Sequence, residues 1–298
     1  MLSIITPVFN GRRFIQSYSD AIKNQLLEEN KYEVIIVDNG SNDGTLDLLK
    51  YHFNDFQNVK ILSYTEKQSS YAARNYGVSK AKGNVFAFTD IDCYPSMDWA
   101  LKSIELTDIY KDKTIISGTI KREVKNKNNV FEYFDKTYFL DQESKSQNQN
   151  GATANMVVSK QVFIALGGFK EFTSGADTYF CDIAVKKGFD FQYNEKLIVK
   201  HPCLESFNAV KTKSRRIAFG IAEKHIDEKS NLLFKIVYYF LGAILNLQQF
   251  KKIRVTFNNS PFFSTFTLRF AVISLFFGIY IRINIILNII RMIFKKRE

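Results

Sequence analysis

Residues 72–92, AARNYGVSKAKGNVFAFTDID, hold the pattern that decides the fold. The first half is typical of a helix, and we predict that this helix ends at Gly83. Residues 85–89, VFAFT, are apolar and rich in aromatic side chains, which is typical of a buried strand. Two carboxylates, Asp90 and Asp92, follow that strand with a single residue between them. Like charges at this spacing repel each other, so the pair needs a partner that relieves the repulsion.

The same alternation of strand and helix continues toward the N-terminus. Apolar runs at 2–10, 34–37 and 59–64 predict three more strands. The segments between them have helical spacing of their apolar residues, at 13–30 and 45–53. Strands that alternate with helices indicate an α/β fold, in which a mostly parallel central sheet is flanked by helices.

Polar side chains follow three of these predicted strands. In open α/β sheets, ligands bind at the carboxyl ends of the strands, which lie along one edge. We therefore expect one site there, built from Thr6 and Asn10 after the first strand, Asp38, Asn39 and Ser41 after the second, and Asp90 and Asp92 after the fourth. Taken alone, an Asp-x-Asp pair is also consistent with two solvated aspartates that bind no ligand. The strand context favours a bound Mn²⁺ or Mg²⁺, because these cations combine protein carboxylates with substrate phosphates.

Beyond residue 113 the pattern is mixed. Residues 114–124 and 195–202 predict strands, and the second of these contains His201. Residues 159–169 and 173–189 predict helices that end at glycines. The polar segment 141–151, DQESKSQNQNG, predicts a mobile loop.

The net charge of +11 is concentrated in the last third of the chain. Residues 200–298 hold 17 Lys and Arg against 5 Asp and Glu, a balance of +12. A basic tail attracts nucleic acid or an anionic membrane. Here the basic residues are interleaved with long aliphatic runs rather than with a nucleic-acid reader motif, which argues against nucleic acid. The three cysteines form no CxxC pair, which excludes a zinc knuckle and is typical of a reducing compartment.

The apolar segments of this tail at 232–247 and 270–281 are each shorter than the ~20 residues that span a bilayer. On a helix over 283–295, the polar residues form one narrow stripe, consisting of Asn284, Asn288, Arg291 and Lys295. A wide apolar face with flanking cations predicts a helix that lies in a membrane interface. The same face would also suit packing on the domain itself or on a second copy of the chain in a homodimer.

The first 200 residues resemble the family 2 glycosyltransferases, which have the GT-A fold. Four motifs carry the resemblance in the right order: SIITPVFNG at 3–11, EVIIVDNGSNDGT at 33–45, the stretch at 72–92, and LGGFKEFTSGADTYFCDIAVKKGF at 166–189. The resemblance implies a catalytic and nucleotide-sugar-binding domain over 1–205. The remainder, 206–298, is then a helical, apolar and basic extension.

The resemblance implies a nucleotide-diphosphate sugar as the donor. The implied contacts are Thr6, Pro7 and Asn10 along the nucleotide, Asp38 and Asn39 at the base, Arg74 at the base or the diphosphate, and Asp90 at the ribose. The family more often has two aspartates where this chain has Asp38 and Asn39. The base that the resemblance favours is uracil or thymine, in a UDP- or dTDP-sugar.

Metal ligands follow from the same resemblance. It implies that Asp92 binds the Mn²⁺ or Mg²⁺ that bridges both phosphates, and that Asp90 is shared between the ribose and the metal. His201 is either a third metal ligand, as in some similar enzymes, or a structural histidine.

The acceptor must lose a proton to a base. The family uses a carboxylate in a Gly-Glu-Asp motif, which reads Gly175-Ala176-Asp177 here. The resemblance therefore implies Asp177 as the base, although the first turn of a helix favours an aspartate without any catalytic role. Asp182 is a weaker alternative that is expected to face the scaffold.

These assignments lead to an inverting transferase that moves one sugar to a hydroxyl of a glycan or lipid-linked acceptor in cell-surface polysaccharide synthesis. We expect it to act at the cytoplasmic face of the cell membrane as a peripheral protein. No Gln-x-x-Arg-Trp motif of processive synthases is present, so transfer of single sugars is favoured. The alternatives are a sugar-nucleotide nucleotidyltransferase, or a nucleotide- or membrane-binding module with a decayed site.

Overall fold

The computed structural model describes residues 1–111, 113–246, 253 and 265–295. The chain forms two compact units, and each is discontinuous in sequence. The first unit consists of Met1–Arg122, Leu140–Glu171 and Ala176–Pro202. The second unit consists of Glu123–Phe139, Phe172–Gly175 and Cys203–Glu298. The domain boundary near residue 205 stays a prediction.

The first unit is built on one sheet of eight strands. The strands are β1 (Leu2–Val8), β2 (Tyr32–Asp38), β3 (Val59–Ser63), β4 (Val85–Thr89), β5 (Tyr94–Pro95), β6 (Thr114–Glu123), β7 (Asn155–Ser159) and β8 (Asp190–Pro202). Their order across the sheet is β3-β2-β1-β4-β7-β6-β8-β5.

The helices divide between the two units. Those of the first unit are α1 (Ile15–Lys23), α2 (Thr45–Phe53), α3 (Ser70–Ser79), α4 (Trp99–Tyr110), α6 (Gln142–Ser146), α7 (Lys160–Leu166) and α8 (Ala176–Lys186). Those of the second unit are α5 (Val130–Tyr138), α9 (Phe207–Asp227), α10 (Leu232–Leu245) and α11 (Thr265–Lys295). Two short 3₁₀ helices, Arg12–Phe14 and Glu29–Lys31, precede α1 and β2.

The predicted α/β fold is confirmed, and the parallel arrangement belongs to its N-terminal half. Strand β1 pairs in parallel with β2 and β4, and β2 pairs in parallel with β3. Strand β7 then pairs antiparallel with both β4 and β6, and β5 pairs antiparallel with β8. Every residue of β1 and β2 is buried, because helices cover both faces of this part of the sheet.

Alternate side chains along these strands point to opposite faces of the sheet, so the strands contribute to two hydrophobic clusters. Ile4 and Ile36 point into the larger cluster, with Trp99 fully buried among the same group. Ile35 and Val37 point to the other face and pack against Ala73 of α3. A strand that is buried on both faces has this continuous apolar sequence, which is the pattern that predicts β1 and β2.

The prediction of a mobile loop over 141–151 is wrong for its first half, where α6 forms. Asp141 caps this helix by accepting a hydrogen bond from the backbone N–H of Ser144 at 3.1 Å. Gln142 is only 3% exposed, and its Oε1 accepts from the backbone N–H of Ala152 at 2.9 Å. Its amide also donates to Ser117 Oγ. A polar sequence is therefore buried here because each amide atom of Gln142 has a partner inside the unit.

In the second unit, the long helix α11 packs on α5, α9 and α10. Phe134 of α5 is almost fully buried, and its ring centroid lies 5.1 Å from that of Phe277 on α11. Asp135 is fully buried and accepts hydrogen bonds from Lys213 Nζ at 3.2 Å and from the backbone N–H of Leu204 at 3.1 Å. Residues that lie far apart in sequence thus form one aromatic and charged interior.

The prediction that the apolar tail segments are too short to span a bilayer is wrong for 270–281. The structure joins 270–281 and 283–295 into α11, which has 31 residues. Arg282 does not interrupt the helix, because arginine is a good helix former. Its guanidinium donates to the carbonyl of Gly278 at 2.9 Å and to Asn246 Oδ1 at 3.0 Å. In the described part of the chain, α11 is the one helix that is long and apolar enough to cross a membrane, judged by length and composition alone.

The predicted polar stripe of α11 does not face outward as a whole. Asn288 is 9% exposed, whereas Leu287 and Ile290 beside it are exposed. The reason is that α11 directs Asn288 into the second unit, where it lies among helices rather than in solvent.

Candidate active site

The loops that follow β1 and β2 are tied together at the carboxyl edge of the sheet. Val8 at the end of β1 lies opposite Asp38 at the end of β2 in the register. The backbone N–H of Asn10 donates to Ser41 Oγ at 2.8 Å, and Asn10 Oδ1 accepts from the backbone N–H of Asn42 at 2.9 Å. The polar residues that follow the two strands therefore meet at one edge, which is what parallel pairing predicts.

Thr6 and Pro7 lie within β1 rather than beyond its end. Thr6 is fully buried, and its hydroxyl oxygen lies 2.6 Å from the hydroxyl of Tyr18 on α1. Pro7 is also buried, opposite Val37. The structure thus turns the Thr6 side chain toward Tyr18 of α1, and contact of Thr6 and Pro7 with a nucleotide stays a prediction.

Asp38 and Asn39 are both buried but have different kinds of partner. The Asp38 carboxylate accepts a hydrogen bond from the backbone N–H of Ser41 at 3.2 Å. The Asn39 amide donates to the carbonyls of Tyr64 at 2.7 Å and Lys67 at 2.9 Å. A carboxylate has no proton to donate, so an aspartate at position 39 would lose both bonds. The family more often has a second aspartate at the position of Asn39. The asparagine here suits the two carbonyl groups that it meets in the loop between β3 and α3.

The repulsion between Asp90 and Asp92 is relieved in part by a side chain of the protein. Arg74 of α3 is 2% exposed, and its guanidinium forms an ion pair with Asp90. Its carbon Cζ lies 5.3 Å from the centre of the Tyr71 ring. The predicted site residues Arg74 and Asp90 are thus brought together, with the Asp90 side chain still about a third exposed at 31%.

The short strand β5 begins just after Asp92 in the sequence and pairs with β8. Tyr94 pairs with Lys200, so Cys93 and His201 are neighbours across the antiparallel pair. Asp92 Oδ2 lies 3.4 Å from His201 Nε2. The predicted metal residues Asp92 and His201 therefore meet, although 109 positions separate them in the numbering.

The arrangement of His201 fits a metal ligand. Its Nδ1 lies 2.6 Å from the carbonyl oxygen of Pro202. A carbonyl only accepts, so Nδ1 carries a proton, and Nε2 is the ring nitrogen on the side of Asp92 that could bind a metal. A carboxylate oxygen and an imidazole nitrogen side by side form a donor set that would suit Mn²⁺.

Cys93 joins this cluster, and sequence reasoning missed it. Its sulfur, Asp92 and His201 have ligand atoms within 4.8 Å of one another. Burial, and then the negative charges of Asp90 and Asp92, raise the pKa of the Cys93 thiol well above its usual value. Mn²⁺ and Mg²⁺ prefer oxygen and nitrogen ligands to sulfur. Asp92 and His201 would therefore be the donors of this cluster toward such an ion.

The predicted base Asp177 lies in the first turn of α8 and is 8% exposed. Its Oδ1 accepts hydrogen bonds from the Tyr71 hydroxyl at 3.1 Å and from the backbone N–H of Thr178 at 2.9 Å. Its Oδ2 accepts from the backbone N–H of Thr153 at 3.3 Å. Sequence reasoning missed Tyr71 and Thr153, since these contacts join residues 106 and 24 positions apart. The alternative Asp182 accepts from Asn150 at 2.9 Å, which ties it to the scaffold.

Comparison with known sequences decides the family. The model of Glycosyl transferase family 2 matches residues 3–167, which is more than half of the chain. The chain belongs to this family. Family membership confirms the resemblance and makes the protein a glycosyltransferase, which argues against a nucleotidyltransferase.

Two relatives match the chain over most of its length. Glycosyltransferase AglE of Haloferax volcanii is 31% identical over 248 residues, which cover 82% of this chain and 81% of that protein. A protein of Methanococcus voltae is 26% identical over 261 residues, covering 83% and 80%. It is named dolichyl N-acetyl-alpha-D-glucosaminyl phosphate 3-beta-D-2,3-diacetamido-2,3-dideoxy-beta-D-glucuronosyltransferase.

Solved structures with the GT-A fold resemble the protein at low sequence identity. The mannosyltransferase PcManGT from Pyrobaculum calidifontis, in complex with GDP-Man and Mn²⁺, has a TM-score of 0.59 and 13% identity. That match covers 95% of this chain and 72% of that one. S. aureus TarS 1-349, in complex with UDP-GlcNAc, has a TM-score of 0.57 and 15% identity over 97% and 89% of the two chains. The GT-A fold that the sequence predicts is thereby confirmed.

Proposed function

We propose that this protein is an inverting, metal-dependent glycosyltransferase that moves one sugar from a nucleotide-diphosphate sugar to an acceptor hydroxyl. The observation that carries the proposal is the different setting of three carboxylates in the first unit. Asp90 is paired with Arg74, and Asp92 lies beside His201. Among the described residues, the three hydrogen-bond donors to Asp177 are all uncharged. These settings suit a donor contact, a metal ligand and a base, respectively.

Asp92 Oδ2 and His201 Nε2 would hold a Mn²⁺ or Mg²⁺ ion, with Asp90 shared between the ion and the ribose. The ion, when bound, supplies Lewis-acid stabilisation of the charge on the leaving diphosphate. Arg74 adds a fixed positive charge next to Asp90. A structure of the same fold that contains GDP-Man and Mn²⁺ supports this assignment.

The donor in this proposal is a UDP- or dTDP-sugar. Asp38 faces the base, where its carboxylate accepts a base N–H, and Asn39 and Asn10 shape the loops around it. Thr6 and Pro7 contribute the backbone of β1, since the Thr6 hydroxyl is already paired with that of Tyr18. One structure of the same fold contains UDP-GlcNAc and another contains GDP-Man, so the choice of uracil or thymine rests on the family resemblance.

The proposed reaction is a single displacement at the anomeric carbon. The acceptor oxygen forms a bond to this carbon while the bond to the diphosphate oxygen breaks, and the electron pair of that bond leaves with the diphosphate. The acceptor proton passes to the carboxylate of Asp177. Attack from the face opposite the leaving group inverts the configuration.

The acceptor in this proposal is a glycan or a lipid-linked sugar used in building the cell surface. Its support is the name of the Methanococcus voltae relative, which describes transfer to a dolichyl-linked sugar phosphate. Such an acceptor is presented at a membrane, so the proposal includes a membrane-bound enzyme that acts at the cytoplasmic face.

The second unit supplies a surface for that membrane. Its helix α11 exposes large apolar side chains at steps of three or four residues, and these are Leu268, Val272, Phe276, Ile279, Ile283, Leu287, Ile290 and Phe294. Soluble surfaces rarely carry a continuous apolar stripe of this length. We infer that the stripe contacts lipid, while Arg291 and Lys295 at the end of the helix attract anionic headgroups.

Nucleotide sugars and Mn²⁺ test the function directly. The purified full-length protein is heated with a panel of UDP-, dTDP- and GDP-sugars, with Mn²⁺ or with EDTA. We expect a UDP- or dTDP-sugar to raise Tm with Mn²⁺ and to lose most of this effect in EDTA, because only the folded site binds the pair. Transfer from that sugar to a lipid-phosphate acceptor is then measured with a labelled donor. A Tm that no nucleotide sugar raises would contradict the proposal.

A further inference from the structure

One face of helix α3 carries three side chains that contact different parts of the first unit. Tyr71, Arg74 and Asn75 stand at i, i+3 and i+4, which places them on the same side of a helix. Tyr71 bonds to the proposed base Asp177, and Arg74 pairs with Asp90 at the end of β4. A single helix therefore contacts both the donor carboxylate and the base.

The third of these side chains holds the loop that leads toward α8. Asn75 Nδ2 donates to the carbonyl of Phe169 at 2.8 Å, and the backbone N–H of Phe169 donates to Asn75 Oδ1 at 3.0 Å. The ring of Phe169 in turn lies 5.8 Å from the ring of Tyr71, centre to centre. Tyr71 is thus fixed by packing as well as by its hydroxyl.

The position of α3 is itself fixed by the sheet. Ser69 caps its first turn by accepting from the backbone N–H of Ala72 at 3.4 Å. At Gly77 the helix approaches the strands so closely that a Cβ atom would lie 2.8 Å from Ile5 Cγ2 on β1 and 3.2 Å from Val37 Cγ2 on β2. A helix packed this tightly has no room to shift, so it can set distances for the groups it holds.

The Tyr71 hydroxyl acts as a hydrogen-bond donor to Asp177. Burial, together with the charge of Asp177, raises the pKa of Tyr71, so the phenol keeps its proton at neutral pH. Oδ1 of Asp177 then accepts two hydrogen bonds, from Tyr71 and from Thr178. Oδ2 accepts one from the described residues, from the backbone of Thr153. A carboxylate oxygen can accept two, so Oδ2 is the atom with a lone pair to spare.

We propose that Tyr71 is a positioning residue for sugar transfer: its hydroxyl fixes Oδ1 of Asp177 so that Oδ2 receives the proton of the acceptor hydroxyl. The inference rests on the proposed role of Asp177 as the base. Helix α3 then sets the separation between the base and the carboxylate that contacts the donor, because Tyr71 and Arg74 stand one turn apart on it.

The substitution Tyr71→Phe tests this role because it removes one oxygen and keeps the ring. We expect kcat to fall by about 10- to 100-fold, the usual range for losing a hydrogen bond to a charged group, while KM for the donor sugar stays within about twofold. Tyr76→Phe is the matched control on the same helix, where the Tyr76 ring stacks on Tyr64 at 5.0 Å. It removes the same atom and should leave kcat unchanged.

A double-mutant cycle separates positioning from a general structural role. Asp177→Asn alone should lower sugar transfer to a small residual rate. The double variant that also carries Tyr71→Phe should show no further loss of rate. Donor-induced shifts in Tm, measured for each variant, verify that the fold and the donor site are retained.

The outcomes distinguish the two proposals. Full activity of Tyr71→Phe with no activity of Asp177→Asn would overturn the positioning role and leave the base in place. An equal loss from Tyr71→Phe with and without Asp177→Asn would also overturn it. Full activity of Asp177→Asn would instead refute the base, and with it the proposed function of this residue.

Discussion

The two units of this protein expose different kinds of surface. The first unit fills its interior with aliphatic strands and presents carboxylates at one edge of its sheet. The second unit buries Asn288 and Ser274 of α11 and exposes leucine and isoleucine on the same helix. Exposure of these apolar side chains is unfavourable in water and favourable in contact with lipid. The difference supports the proposal that the first unit binds a dissolved, charged ligand and that the second contacts lipid.

The largest expected effect is that of Asp92→Asn in the first unit. The substitution removes the negative charge of the oxygen beside His201 Nε2, so the cation site is weakened. We expect sugar transfer to fall by about 10³-fold or more, the scale of losing a main stabiliser of developing charge. Binding to lipid vesicles should be unchanged. Retained metal-dependent turnover would contradict the metal assignment.

Next in size is Asp177→Asn. An amide cannot take up the acceptor proton, and general bases contribute about 10²- to 10⁴-fold. The rate of transfer should fall by that factor, while the Tm increase caused by the donor sugar stays as in the unmodified protein. Transfer at the normal rate would show that the base lies elsewhere in the molecule.

The second unit is tested by Leu287→Glu on the exposed stripe of α11. Placing a charge on a lipid-facing helix position should lower the vesicle-bound fraction, with a partition coefficient reduced by about 10-fold or more. The matched control is Leu26→Glu, a leucine exposed on the first unit, which should leave vesicle binding unchanged.

Transfer to a soluble acceptor should survive in the Leu287→Glu protein. The comparison between the units fails if both leucine variants bind vesicles as the unmodified protein does. If the unmodified protein ignores vesicles but is a dimer that Leu287→Glu dissociates, a second copy of the chain covers the stripe instead. Vesicle flotation and analytical ultracentrifugation of the same samples separate these results.

The smallest predicted effect belongs to Asn39→Asp. It cancels the two hydrogen bonds to the carbonyls of Tyr64 and Lys67, which we expect to lower the free energy of unfolding by about 1–3 kcal/mol. Denaturation with urea measures this loss. Asn194→Asp is the control, because Asn194 uses only its oxygen, toward the backbone N–H of Lys196, and an aspartate keeps that bond. An equal stability of both variants would contradict the role given to Asn39.

The parallel half of the fold could be predicted because its signals are local. A buried strand has a continuous apolar sequence, and the residues after it fall at a known edge, so β1, β2 and β4 with Asp38, Asp90 and Asp92 could be located in advance. The family resemblance added Asp177 and His201, which periodicity alone would not single out.

The remaining features depend on contacts between distant residues. Thr6 and Tyr18 pair across a strand and a helix, and Tyr71 meets Asp177 across 106 positions. No spacing along the chain encodes either contact. The orientation of α11 likewise depends on which helices lie against it, so the polar stripe in its sequence did not predict which side is exposed.

The interleaved sequence of the second unit has a consequence for synthesis on the ribosome. The ring of Phe134 on α5 packs against the ring of Phe277 on α11, and the two residues are 143 positions apart in the sequence. Because a ribosome adds about 5–20 residues per second, roughly 7–30 s pass between the synthesis of Phe134 and that of Phe277. During that time its aromatic face is available to chaperones or to a nearby bilayer. A nascent chain that stops before α11 would keep this face uncovered, so quality control can recognise an incomplete copy from a helix near the middle of the sequence.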